Sequence, residues 1–206
     1  MKRKSLSVTK KTLNFYLTKL KDPQVRKLYN LFSNNLASMD LTNKKIMVGV
    51  SGGVDSLSVL FFAKCYALKH KAKLYPVIID HKLREESTTE ALKLKYKLKK
   101  NFNINCKILS KKITKIDKNI QSYARDLRYD LFFKECKKHK INYLLLGHHK
   151  DDLIENFFIR LIRGSGLKGL VSFNKNLSDY HGLKIIRPFL SIPKKKLKVL
   201  IEKENF

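Results

Sequence analysis

The 206-residue chain carries 45 Lys and Arg against 17 Asp and Glu, a formal net charge of +28, with 43% apolar residues. That length suits one domain of ordinary size with a short appendage at either end, and no apolar run approaches the roughly 18 residues of a membrane span, so a soluble, cytoplasmic protein is expected. The charge points to an anionic partner, nucleic acid ahead of a lipid surface; a bias toward Lys, Asn, Ile and Phe that spreads lysines over every solvated face is the other reading of the same number.

The first residues, MKRKSLSVTKK, are basic but lack the apolar core of a secretion signal. Residues 1–42 then place Leu13, Tyr16, Leu17 and Leu20, and after them Val25, Leu28, Leu31 and Phe32, at helical spacing. This spacing predicts a helical N-terminal extension of two helices broken near Pro23. From there short Ile- and Val-rich runs alternate with longer amphipathic stretches. Strands are expected over 45–50, 74–80, 106–109, 143–146 and 183–186, and helices over 56–70, 86–101, 120–140, 151–163 and 194–204, with 110–118 as a loop. Such alternation predicts an α/β fold: a doubly wound, mainly parallel sheet with helices on both faces, spanning 43–192. In that architecture ligands sit beyond the carboxyl ends of the strands, at a topological switch point. Ser51, Asp80, Ser110 and Gly147 each follow or close an expected strand. Cys65, Cys106 and Cys136 are far apart and form no CxxC pair, which fits buried thiols in a reducing cytosol rather than a zinc site or a redox dithiol.

The most informative run is IMVGV-SGGVDS-LSVLFF. A buried strand passes through a Gly-rich turn into an apolar helix. Gly52 and Gly53 let main-chain N–H groups approach a ligand, Ser51 and Ser56 add hydroxyls, and the helix directs its positive end at whatever occupies the turn. Asp55 is out of place beside phosphate unless a cation such as Mg²⁺ intervenes. A capped helix start would look similar. The string matches the SGGxDS loop of the PP-loop ATP pyrophosphatases, which it resembles, rather than a Walker loop, since no GK[ST] follows. The resemblance implies that Ser51, Gly52, Gly53, Val54, Asp55 and Ser56 bind ATP, which is split to AMP and pyrophosphate, with Mg²⁺ near Asp55.

Four further segments narrow the resemblance to the tRNA(Ile)-lysidine synthases: DHKLREES (80–87), NIQSYARDLRYDLF (119–132), GHHKDDLIENFFIRLIRGSGLKGL (147–170) and IIRPFL (185–190). They follow in family order along most of the chain. GHHKDDLIE sets two histidines and two carboxylates at a strand end and helix start, with Asp152 and Glu155 on one helical face. For Asp151 an N-cap is the better reading, and for His149 packing behind the site stands level with a direct role. The resemblance gives His148 and Asp152 a catalytic or metal-positioning role. Arg125 and Arg128, three apart on one helix, suit bidentate capture of phosphate or of developing negative charge, Arg128 being the catalytic member; a solvated basic face is the alternative. The resemblance implies that Arg160, Arg163 and Lys168, about the Gly164 and Gly166 turn, face RNA or substrate with Arg125 and Glu155; an ordinary helix C-cap is the other reading. Asp80 and His81 close a strand where base or ribose is expected.

The implied reaction joins free L-lysine to the wobble cytidine of a tRNA(Ile) with a CAU anticodon. The cytidine C2 oxygen attacks the α-phosphate of ATP, pyrophosphate leaves, and the lysine ε-amine then displaces AMP. Asp55, Arg128, His148 and Asp152 are the expected catalytic set, and Asp55 and Asp152 the Mg²⁺ ligands. A base-thiolating enzyme of the same superfamily and a non-catalytic ATP- or RNA-binding module are the rival readings, and a homodimer is left open. The family continues beyond the point matching Phe206, so 193–206 is expected to begin a truncated C-terminal segment.

Overall fold

The protein is described here by a computed structural model that covers residues 10–80, 82, 84–111, 120–162 and 176–204. Among the described residues six strands form one sheet: β1 (Lys45–Val50), β2 (Lys73–Asp80), β3 (Lys107–Ser110), β4 (Tyr143–Leu145), β5 (Leu177–Tyr180) and β6 (Leu183–Ile186). Among the described residues the helices are α1 (Lys10–Lys19), α2 (Pro23–Ala37), α3 (Val54–His70), α4 (Ser87–Phe102), α5 (Ile120–His139), α6 (Lys150–Ile162) and α7 (Lys194–Glu204). The spatial order is β3-β2-β1-β4-β6-β5, parallel except for β5, which pairs antiparallel with β6. The expected doubly wound sheet is therefore present. Its switch point lies between β1 and β4, because the chain winds outward from β1 to β3 and then returns to the other side of β1.

Alternation along the strands divides the interior into two layers, since successive side chains leave a strand on opposite faces. Ile46, Val48 and Val50 of β1, Ile78 of β2, Leu145 of β4 and Ile186 of β6 face one core, built with α1, α2, α3, α4 and α7. Met47, Val77, Leu144, Leu146 and Ile185 face the other, against Phe132 and Cys136 of α5. Both faces are covered, which is why the strands read as continuous apolar runs.

The N-terminal helices belong to the first core. Phe32 of α2, Phe62 of α3 and Phe189, just beyond β6, pack with ring centroids 5.6–5.9 Å apart, and the Tyr16 hydroxyl donates to the Phe102 carbonyl at 2.8 Å. Pro23 opens α2 at its first turn, and Asp22 caps that helix by accepting from Gln24 N–H and Val25 N–H. At the other end, Leu197, Leu200 and Ile201 of α7 are buried in the same core as Leu57, Leu60 and Phe61.

Most expected elements are present with ends shifted by at most a residue, and two differences from the sequence reading are larger. Helix α3 starts at Val54, inside the Gly-rich turn, so the loop is itself the helix N-terminus. Strand β5 was not expected: LSDY has no apolar run, and it pairs as an edge strand through a two-residue His181-Gly182 turn in which both residues have positive φ, 51° and 83°. Residues 112–118 of the expected 110–118 loop lie outside the described residues.

Candidate active site

Because β1 and β4 are neighbours at the switch point, the turns that leave them meet. A Cβ on Gly147 would lie 2.6 Å from Ser56 N and 2.7 Å from Asp55 C, so only glycine admits the backbone of α3's first turn this close. The turn at 51–56 is held by one buried hydroxyl. Ser56 Oγ accepts from Ser51 N–H at 3.0 Å and from Ser51 O–H at 3.1 Å, and donates to the Gly53 carbonyl at 2.9 Å. Gly53 is the N-cap and supplies no side-chain bond, leaving the helix end open to an anion. Gly52, at φ +84°, makes the tight bend.

In front of the turn lies a cavity of about 760 Å³. Ile78, Ala91 and Leu94 give it an apolar side, Arg125 and Arg128 a cationic wall, and Asp152 and Glu155 an acidic edge. An apolar recess beside a main-chain anion site suits a base joined to phosphates.

The acidic edge is built around His149. Its ring is buried and stands between two carboxylates, with Nε2 3.4 Å from Asp55 Oδ2 and 3.6 Å from Asp152 Oδ1. Asp152 Oδ2 in turn accepts from His149 N–H at 2.8 Å. Lys194 Nζ approaches Asp55 Oδ2 at 3.9 Å. Burial nonetheless pushes the Asp55 carboxyl above its usual range, with Asp152 adding repulsion and His149 and Lys194 only partly offsetting it. Among the described residues, Asp55 Oδ1 is a buried acceptor without a hydrogen-bond partner. Asp151 accepts from Lys194 N–H at 3.1 Å, tying α6 to α7.

His148 faces the cationic side. Burial, helped by Arg187, Arg125 and Arg128 against the opposing pull of Asp152, brings its imidazole down to about 4, so the ring is neutral at physiological pH. Arg187 is buried at the end of β6 and donates to Ser178 Oγ at 2.9 Å. Crowding by the cavity walls lowers the Arg128 guanidinium, with Arg125 contributing like-charge repulsion, although an arginine so placed stays charged. Arg125 also lies over the Tyr129 ring at 5.9 Å.

The sequence model of the PP-loop domain matches residues 20–206. The chain belongs to the PP-loop family. ATP binding follows from that membership, and the turn at 51–56 carries the SGGxDS pattern for which it is called the PP-loop. The chain is 41% identical over 163 residues, 79% of its length, to the tRNA(Ile)-lysidine synthase of Orientia tsutsugamushi (strain Boryong), and covers 36% of that protein. It is 37% identical over 180 residues, 86% of its length, to that of Rickettsia africae (strain ESF-5), covering 37%. The chain thus spans little more than a third of the curated relatives it matches. Among solved structures, the U34-tRNA thiolase NcsA of Methanococcus maripaludis, with its 4Fe-4S cluster, superposes with a TM-score of 0.72 at 21% identity, over 87% of this chain and 62% of that one. The Candida glabrata FMN adenylyltransferase in complex with ATP gives 0.54 at 11%, over 92% and 61%. At those identities the likeness is one of fold.

The structure gathers Ser51, Gly52, Ser56, Asp80, Arg125, Arg128, His148, Asp152 and Glu155 around the cavity in front of the PP-loop, with Asp55 and Val54 in the helix turn behind it. Asp80 is there as a fastener: its oxygens accept from Lys82 N–H, Ser87 Oγ and Thr88 Oγ1 at 2.7–2.9 Å, and these bonds hold its carboxyl below the usual range despite burial. His81, Arg163 and Lys168 lie outside the described residues, as does the side chain of Arg160. Two residues near the site, Arg187 and Lys194, carried no role in the sequence reading, and His149, read there as either packing or a direct participant, stands between the carboxylates. Arg187 was open to the argument applied to Arg125 and Arg128, since the chain has only eight arginines among 45 basic residues. Lys194 had no such signal among 37 lysines.

Proposed function

We propose that this chain is the catalytic PP-loop unit of a tRNA(Ile)-lysidine synthase, a carbon–nitrogen ligase that splits ATP to AMP and pyrophosphate and joins L-lysine to the wobble cytidine of a tRNA(Ile) with a CAU anticodon. The observation that carries this reading is the continuous similarity, over 79–86% of the chain, to proteins bearing that name. The geometry supports it in kind. The PP-loop N–H groups and the end of α3 face the leaving pyrophosphate. Arg125 and Arg128 face the cavity where charge develops on the α-phosphate as the cytidine oxygen attacks. His148, kept neutral, serves as a hydrogen-bonding group that orients the incoming nucleophile rather than as a cation. Glu155 offers a carboxylate to the α-ammonium group of lysine, leaving its neutral ε-amine to attack. An anticodon base is reachable because it can be splayed from its loop.

Asp55 and Asp152 fit a Mg²⁺ ion: Asp55 Oδ1 is a buried acceptor without a hydrogen-bond partner among the described residues, and both carboxylates flank one ring. Such an ion would complete its shell with water and phosphate oxygens and would neutralise charge on the triphosphate. A thiolase reading finds less support. Cys65, Cys106 and Cys136 are all buried, and none lines the cavity; burial drives the Cys106 and Cys136 thiols up to about 12, far from a reactive thiolate.

The test is incubation of the purified protein with tRNA(Ile) transcript, ATP and labelled lysine. Label in the RNA with one AMP released per lysine is expected. Lysine that stays out of the RNA while ATP is bound would sink the ligase assignment.

A further inference from the structure

The PP-loop runs directly into Leu57 and Ser58, with no lysine at the place where GK[ST] loops carry one. The structure brings a lysine there from the far end of the chain. Residues 189–194 are laid along the start of α6 and fastened at three points: Phe189 bridges to His149 in parallel, Lys150 N–H donates to the Ile192 carbonyl at 3.0 Å, and Lys194 N–H donates to Asp151 Oδ2 at 3.1 Å. Burial of Leu197, Leu200 and Ile201 against α3 fixes the helix that follows. The outcome is an ammonium 3.9 Å from Asp55 Oδ2, at the open N-terminal end of α3, with the lysine side chain 54% exposed and the aspartate only 18%.

The backbone fastening seats α7 on the core, but a long, half-exposed ion pair adds little to stability, so the placing of the ammonium beside Asp55 is not accounted for by the fold. It is well explained if the ammonium must be at hand for a ligand. The apolar recess and the two arginines line the cavity, whereas Lys194 stands beyond Asp55 and outside that lining. A triphosphate seated with its base in the recess and its chain over the end of α3 would present its far phosphates to this side.

We propose that Lys194 binds the β,γ-phosphate end of ATP in the PP-loop, taking the place of the lysine that the loop lacks. The proposal rests on the nucleotide reading of the site and adds a residue to it. Lys194 holds the departing pyrophosphate while the loop N–H groups hold the nearer phosphate oxygens. Because the contact is to the leaving end of ATP, AMP should be indifferent to it.

The test is titration of the purified protein with Mg·ATP, pyrophosphate and AMP, comparing wild type, Lys194→Ala, Lys194→Arg and, as a neighbouring exposed control, Lys195→Ala. Loss of one charge-assisted phosphate contact is expected to weaken ATP and pyrophosphate about tenfold or more, to leave AMP within twofold, and to be recovered largely by arginine. Lys195→Ala should match wild type. The Lys194 backbone bond to Asp151 survives in alanine, so melting temperatures should agree. If wild type binds ATP and Lys194→Ala binds it equally well, or if AMP weakens as much as ATP, the proposal is wrong. If wild type binds no ATP, the nucleotide reading falls and the proposal with it.

Discussion

The closest backbone approach at the site makes Gly147→Ala the most demanding test of the geometry. The added methyl would sit 2.6 Å from Ser56 N, 2.7 Å from Asp55 C and 2.8 Å from Ser56 Cα, against 3.4 Å for an ordinary contact. All three obstacles are main chain, so no rotamer change relieves them, and the first turn of α3 must retreat by about 0.8 Å. Overpacking of this kind costs about 1–3 kcal/mol, or a fall in Tm of roughly 2–12 °C at about 2–4 °C per kcal/mol for a chain of this size. The displaced turn is the phosphate cradle, so Mg·ATP affinity should fall at least about tenfold, since misplacements near 1 Å are that costly. Gly182→Ala is the internal control: its φ is +83° but nothing lies within 4 Å, so a strain cost of about 1 kcal/mol is expected with ATP binding intact. Denaturation and ATP titration of both variants decide the matter. A Gly147→Ala protein that melts within about 1 °C of wild type and binds ATP within twofold would refute the reasoning.

Arg128→Lys keeps the charge but loses the planar fork, and steady-state AMP release should show kcat down about tenfold or more with KM for ATP little changed; an unchanged kcat would remove Arg128 from the reaction. Asp55→Asn should raise the stability of the nucleotide-free protein at neutral pH, because burial holds that carboxyl above its usual range, while weakening Mg·ATP at least about tenfold; thermal melts and titration test the two effects, and a destabilised variant contradicts the first. The His148 imidazole, brought down to about 4 from an ordinary 6.5, binds fewer protons folded than unfolded. Its contribution is thus complete above about pH 6.5 and lost as pH falls toward about 4, up to about 3 kcal/mol. Urea melts across that range should show a shallower acid loss in His148→Gln than in wild type, and equal slopes would count against a buried neutral ring. Removal of residues 193–206 exposes the sites that Leu197, Leu200 and Ile201 cover, at about 1.5–3 kcal/mol each. That approaches the whole stability of a typical domain, so the shortened chain should lose its cooperative melt, and a sharp transition would show α7 to be dispensable.

What the sequence made legible follows from which physical signals are local. The Ile- and Val-rich runs of β1, β2 and β6 announce strands buried on both faces, and SGGVDS announces its backbone chemistry because glycines and a helix start need no distant partner. Strand β5 was hidden because an edge strand needs no apolar run; its only local mark was the His181-Gly182 turn. The role of Asp80 was hidden for a different reason. Ser87 and Thr88 are visible in the sequence, but that they fold back onto the carboxylate is fixed only when the connection closes between β2 and α4.

The adjacent histidines show the limit most sharply. His148 and His149 are indistinguishable as residues, and the resemblance favoured the first. At the end of β4 the chain turns, so neighbouring side chains diverge: His148 faces the arginines and His149 is buried between Asp55 and Asp152. Which ring meets which charge is settled by the packing of 189–194 along α6, through the Phe189 bridge to His149 itself. The same strip of chain delivers Lys194. A site at a switch point is assembled by connections that return from elsewhere, so its backbone parts are local and readable, while the partners of its charged groups come from contacts that only the closed fold creates.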